Sequence, residues 1–114
     1  MQHIKAQDGN RRKNSEACTA VEYEFEGEKN INSAVIELNG RYPSEGFALN
    51  SICEEIVYIV DGSGKLITTE TETIFSTGDM LKIEPNQRYY FDGNVKLLIS
   101  SSPAWYPEQY QNIH

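Results

Sequence analysis

The stretch Glu55-Ile-Val-Tyr-Ile-Val-Asp-Gly-Ser-Gly64 is a β-branched and aromatic run that stops at a turn-prone Asp-Gly-Ser-Gly sequence. Such side chains fit the pleated, half-buried surface of a strand, and the residues after them tolerate positive φ. The reading is a strand running into a hairpin at Asp61 to Gly64. Carried backwards at a period of two, its parity sends Ser51, Cys53, Glu55, Val57 and Ile59 inward and Glu54, Ile56 and Tyr58 outward. A thiol and a carboxylate then share the interior.

On either side the pattern repeats. Val21, Tyr23 and Phe25 face one way and Glu22, Glu24 and Glu26 the other, the signature of a half-buried strand; Ala34, Ile36 and Leu38 do the same before a turn or bulge signal at Gly40 to Pro43. Downstream, Lys65 to Thr69 and Thr73 to Phe75 flank a second hairpin at Glu70 to Glu72. Met80 to Ile83, Arg88 to Asp92 and Val95 to Ser100 follow, separated by Pro85-Asn86 and Asp92-Gly93-Asn94. About eight short strands and no helix-period segment predict an all-β chain, a small barrel or sandwich. Residues 1–16, containing the aperiodic Gln-Asp-Gly-Asn-Arg-Arg-Lys-Asn-Ser-Glu stretch, read as a polar arm, either loose or a surface meander, and residues 17–114 as one barrel domain. Arg11-Arg12-Lys13 reads as a solvated basic cluster.

Composition narrows the function. With 114 residues the chain has the size of a single domain, and seventeen acidic against ten basic residues give a net charge of −7. That field repels phosphate backbones and acidic headgroups, so neither nucleic acid nor membrane is an expected partner. Cys18 and Cys53 are too far apart in sequence for a C-x-x-C site, and no apolar leader or spanning stretch occurs, so reduced thiols and a cytoplasmic location are expected. The two histidines, His3 and His114, are at the chain ends, which removes the commonest general base and transition-metal ligand from the interior.

Across Glu55 to Gly64 and Gly78 to Asn94 the sequence resembles the cupin superfamily, which implies a double-stranded β-helix barrel of the jelly-roll type. Glu55 and Gly62 keep the glutamate-to-glycine spacing of the first cupin motif. The histidine pair that precedes it is replaced by Leu49 and Ser51, or by Ala48 and Asn50, according to spacing. Gly78 to Asn86 resembles the second motif. Counting from Gly78 puts Tyr89 at its histidine, with Asn86 at its left-handed glycine position, whereas counting from Pro85 puts Tyr90 there. Tyr89 gives the cleaner division of faces, because it shares one with Phe91.

Cupin metals are generally held by the motif histidines with the glutamate. The resemblance with only the glutamate retained therefore implies no tightly bound transition metal and no cofactor. The expected site is a cavity lined by Asn50, Ser51, Glu55 and Tyr89 or Tyr90, with Arg88 at its edge and Cys53 inside as a small buried filler. Two functions are drawn from these residues. One is binding of a small polar organic ligand, a sugar or an organic acid. The other is metal-independent isomerase, epimerase or lyase chemistry, with Glu55 shuttling a proton and Tyr89 polarising the substrate. A non-catalytic interaction scaffold is the third reading, and a homodimer is the expected assembly.

Overall fold

Strand-forming residues dominate the chain, and in the computed structural model of residues 1–114 they build nine strands. In order these are β1 (Asn10–Ser15), β2 (Cys18–Tyr23), β3 (Asn32–Tyr42), β4 (Phe47–Asn50), β5 (Glu54–Thr68), β6 (Glu72–Ser76), β7 (Met80–Ile83), β8 (Tyr89–Ser102) and β9 (Tyr110–Ile113). All pairings are antiparallel. β8 is the spine: β3 pairs along one edge from Asn32↔Ser101 to Tyr42↔Phe91, and β5 along the other from Glu54↔Ser102 to Thr68↔Tyr89. The sheet extends outward from β3 through β2 to β1 and from β5 to β6 and β7, while β9 closes on β4. No helix is long and apolar enough to cross a membrane.

Three turn or bulge signals of the sequence prove to be bends inside continuous strands. β5 does not turn back at Asp61 to Gly64; it continues to Thr68, with a register shift between Ile59 and Asp61. The stretches Gly40 to Tyr42 and Asp92 to Asn94 likewise lie inside β3 and β8. Their glycines line up, with Gly40 opposite Gly93 and Gly93 opposite Gly64. A Cβ on Gly93 would stand 2.6 Å from the Gly64 Cα. Glycine is required here because the backbones of adjacent strands approach closely where the sheet folds over.

Of the two readings of the polar stretch at the N-terminus, the structure excludes the loose arm. Residues 10–15 form β1, an edge strand on β2. Five of its six residues are exposed, and both faces carry polar side chains, so there is no hydrophobic alternation to read.

Inside, directly paired residues form rows on one face. Cys18, Leu38 and Val95 make one row; Ala20, Ile36, Leu97 and Ile59 the next; then Glu22, Ala34, Ile99 and Val57; and last Asn32, Ser101, Glu55 and Ile83. The interior thus changes from aliphatic to polar along the barrel. At the aliphatic end Phe75 and Phe91 meet edge to face, and Val57, Ile59, Leu97 and Phe75 are almost wholly removed from water. Each such side chain contributes roughly 1.5–3 kcal/mol of burial.

Gly62 and Gly27 separate the steric demand of a bend from its backbone demand. Both have positive φ, but only at Gly62 would a Cβ run into backbone, at the Asn94 carbonyl; around Gly27 there is open space. Gly27→Ala is expected to cost roughly 1–2 kcal/mol, the left-handed penalty alone. Gly62→Ala should lose a further ~1–3 kcal/mol through overpacking. Urea denaturation of both variants checks this, and equal losses would contradict the close approach.

Candidate functional site

The last interior row places a carboxylate where it is almost out of water. Glu55 is 6% exposed, directly opposite Ser101 on β8. Its Oε2 accepts the Ser101 hydroxyl at 2.8 Å, and its Oε1 accepts the Asn50 Nδ2 at 3.0 Å and the Tyr89 hydroxyl at 3.3 Å. Three donors leave the buried carboxylate satisfied, as burial demands. Burial still outweighs them and pushes the Glu55 carboxyl up from its ordinary range, while the hydrogen bonds from Ser101, Tyr89 and Asn50 pull the other way. Tyr89 is raised well above the ordinary phenol range, by burial first and then by the neighbouring Glu55 charge, so it stays a hydroxyl donor.

Glu55 and Tyr89 open onto a cavity of about 180 Å³. Its walls are part aliphatic, from Ala34, Ile36 and Ile99, and part aromatic, from Tyr42, Trp105 and Tyr110. Trp105 and Tyr110 pack 5.9 Å apart at a tilt, and burial raises the pKa of both Tyr42 and Tyr110. Arg12 and Glu22 also line the cavity, joined by an ion pair of 3.2 Å. The single guanidinium on this wall is therefore already matched to a carboxylate.

Only part of the residue set expected from sequence gathers here. Glu55 and Tyr89 line the cavity. Asn50 stands behind them, 2% exposed, bonded to both. Ser51 turns away, its hydroxyl donating to the Gln109 carbonyl at 3.0 Å. Cys53 does not share the cavity: it is 1% exposed, and its thiol donates to the Pro103 carbonyl at 3.3 Å. Burial raises its pKa, with the Glu55 charge adding to the effect, so it is a protonated filler. Arg88 is exposed beside the Thr68 to Thr71 turn and is not at the cavity edge. Tyr90 lies on the opposite face from Tyr89, packed edge-on to Phe47 at 5.6 Å under the Arg41 guanidinium. The placement of Tyr90 follows from β8, whose period of two sends Tyr89 and Phe91 inward and Tyr90 outward. Asn86 adopts φ 67°, the left-handed conformation its motif position requires.

Several site residues escape a sequence reading. Pairing of Glu22 with Ala34 and of Arg12 with Ala20 turns both charged side chains inward, so the charged face of β2 is the one that meets the cavity. Val21 and Tyr23 are instead covered from outside by the Gly9 segment. Alternation distinguishes two faces without saying which is inside. Ser101 and Gln109 carry no local signal at all; their roles come from partners 46 and 56 residues away.

The donor set does not fit a transition metal. Around Glu55 stand only neutral hydroxyl and amide groups, all three donating to the carboxylate, and no three His, Cys, Asp or Glu side chains converge anywhere.

No family model matches the chain, and no curated protein does. Among solved structures, Pac13 from Streptomyces, described as a nucleoside dehydratase and also solved as a histidine-to-glutamine variant with uridine, superposes with a TM-score of 0.89 at 13% identity, covering 100% of this chain and 92% of its own. The polyketide cyclase RemF from Streptomyces resistomycificus gives 0.76 at 14% identity over 100% of this chain and 86% of its own. An RmlC-like cupin from Shewanella frigidimarina gives 0.73 at 15% identity over 91% and 93% respectively. The likeness is one of fold, and the fold is the cupin barrel.

Because the folded state holds Glu55 at a raised pKa, its contribution to stability is fully present below the ordinary glutamate range. It is lost as pH climbs through the raised folded value. Glu55→Gln removes this titration. The melting temperature of the variant relative to the parent should therefore rise with pH across that window, and a pH-independent difference in thermal melts would contradict the raised carboxyl.

Proposed function

We propose that the barrel binds a small neutral polyhydroxylated ligand, a sugar or the sugar part of a nucleoside, without a transition metal. The observation that carries this reading is a buried carboxylate facing a cavity whose one guanidinium is already paired. A ligand hydroxyl donates to Glu55 at no electrostatic cost, whereas a ligand carboxylate meets Glu55 and Glu22 with no free cation to offset them. That argues for the sugar over the organic acid. Trp105 and Tyr110 offer aromatic surface to the apolar face of such a ring, and about 180 Å³ is the scale of a cavity that admits one ring-sized molecule. The uridine bound by a neighbour of the same fold supports the same ligand class.

The test is a panel of neutral sugars, nucleosides and sugar acids, followed by thermal shift and by the fluorescence of the single tryptophan. Neutral members are expected to raise the melting temperature and perturb Trp105, and Glu55→Gln to weaken them roughly ten- to a hundredfold, the loss of a hydrogen bond to a charged acceptor. Preference for the acids, or no response to any member, overturns the proposal; the second result favours the scaffold reading.

The raised Glu55 carboxyl beside the Tyr89 hydroxyl favours a second reading, proton-transfer chemistry on that ligand by a lyase or isomerase. Here Glu55 takes a proton from the substrate and Tyr89 donates a hydrogen bond to its oxygen. Under this reading Glu55→Gln abolishes turnover of the ligand identified in the panel and leaves its affinity within a few fold, which isotope exchange and binding titrations separate from the first outcome.

A further inference from the structure

The orientation of Asn50 is dictated by the C-terminal segment. The backbone N–H groups of Ile52 and Cys53 both donate to the Gln109 Oε1, at 3.3 and 3.1 Å, which leaves the Gln109 Nε2 to point at Asn50. That nitrogen donates to the Asn50 Oδ1 at 2.8 Å, and the Trp105 Nε1, which can only donate, reaches the same oxygen at 3.0 Å. With its oxygen held by two donors, the Asn50 amide has one remaining way to face. Its Nδ2 is turned to Glu55 at 3.0 Å and to the Tyr89 hydroxyl at 3.4 Å.

We propose that Trp105 and Gln109 are positioning residues for Glu55, acting through the amide of Asn50. Gln109, 2% exposed, fixes the relay to the backbone before β5. Trp105 both donates to the relay and lines the cavity, so whatever moves its indole also loosens the Asn50 oxygen. The C-terminal segment is in this way part of the site, although Gln109 is not a cavity-lining residue. This inference concerns the same site as the proposed function, but it rests on the protein's own hydrogen bonds and needs no ligand.

The titratable groups near Glu55 are Tyr89 from β8, Tyr110 from β9 and Cys53 just before β5, with Arg12 and Glu22 across the cavity. The experiment reads the Glu55 carboxyl in the ligand-free protein by carbon-detected NMR titration. Once ionised, Gln109→Glu still accepts from Ile52 and Cys53 but has nothing to donate to Asn50. The amide is then free to turn its Nδ2 to the new carboxylate, withdrawing a donor from Glu55 and raising its pKa. The added charge raises it too, so the same substitution is repeated on Asn50→Ala, where only the through-space effect survives. The rise is expected to be larger with Asn50 present than without it. Trp105→Phe, which removes one donor and adds no charge, is expected to raise the Glu55 pKa as well, and it keeps the test intact if Asn50→Ala fails to fold. Equal rises in the two backgrounds, or an unmoved carboxyl in Trp105→Phe, overturn the relay. Because nothing is bound in these titrations, a failed ligand panel leaves their outcome untouched.

Discussion

The pairing of β8 with β3 and β5 along nearly its whole length is the constraint on which the molecule depends. A strand bonded on both edges admits no slip without breaking two ladders, and a shift of one residue would exchange its inner and outer faces. In the observed register Leu97, Ile99 and Ser101 point inward in succession, and their partners on β5 are Ile59, Val57 and Glu55. The change from aliphatic to polar interior, and with it the site, is therefore written in the ladder. The glycines at 40, 93 and 64 let three adjacent strands bend together without breaking it.

Burying a carboxylate at the end of such a ladder has a cost that only dense hydrogen bonding offsets. Glu55 receives it from three directions: the paired strand through Ser101, the same strand further on through Tyr89, and the residue ending β4 through Asn50. Tyr89 and Asn50 also bond to each other, so the group behaves as a network in which each member constrains the rest. The aliphatic end of the barrel, with its tightly buried Val57, Ile59 and Leu97, stabilises the fold that holds this polar end together. Charge is arranged with the same economy. Arg12 and Glu22 face each other on the cavity wall, while Lys13 pairs with Glu16 in solvent, so one run of basic residues is divided between two environments by strand parity.

Much of this was legible in the residues themselves. The period-two run at Glu55 to Ile59 established a strand with the carboxylate inside, because successive Cβ atoms must point to opposite faces, and the same rule assigned Tyr89 and Phe91 to one side and Tyr90 to the other. The spacing of Glu55 and Gly62 and of Gly78 and Asn86, with histidine missing between them, carried the resemblance to the cupin barrel. Turn chemistry was harder to interpret. Glycine at 40, 62, 64 and 93 signals a backbone that needs room or unusual φ, and a bend within a continuous strand needs the same residues as a reversal.

Only the tertiary structure decided which face of β2 is inside, that Arg12 belongs to a cavity wall, and that Gln109 and Trp105 reach the amide next to Glu55. These are consequences of contacts between residues far apart in the chain, and local pattern holds no information about them. By itself the sequence determined the alternation, the places where the backbone needs glycine and a lone acidic side chain without histidine beside it; what surrounds that side chain was settled by the ladder, since register is a property of two strands and never of one.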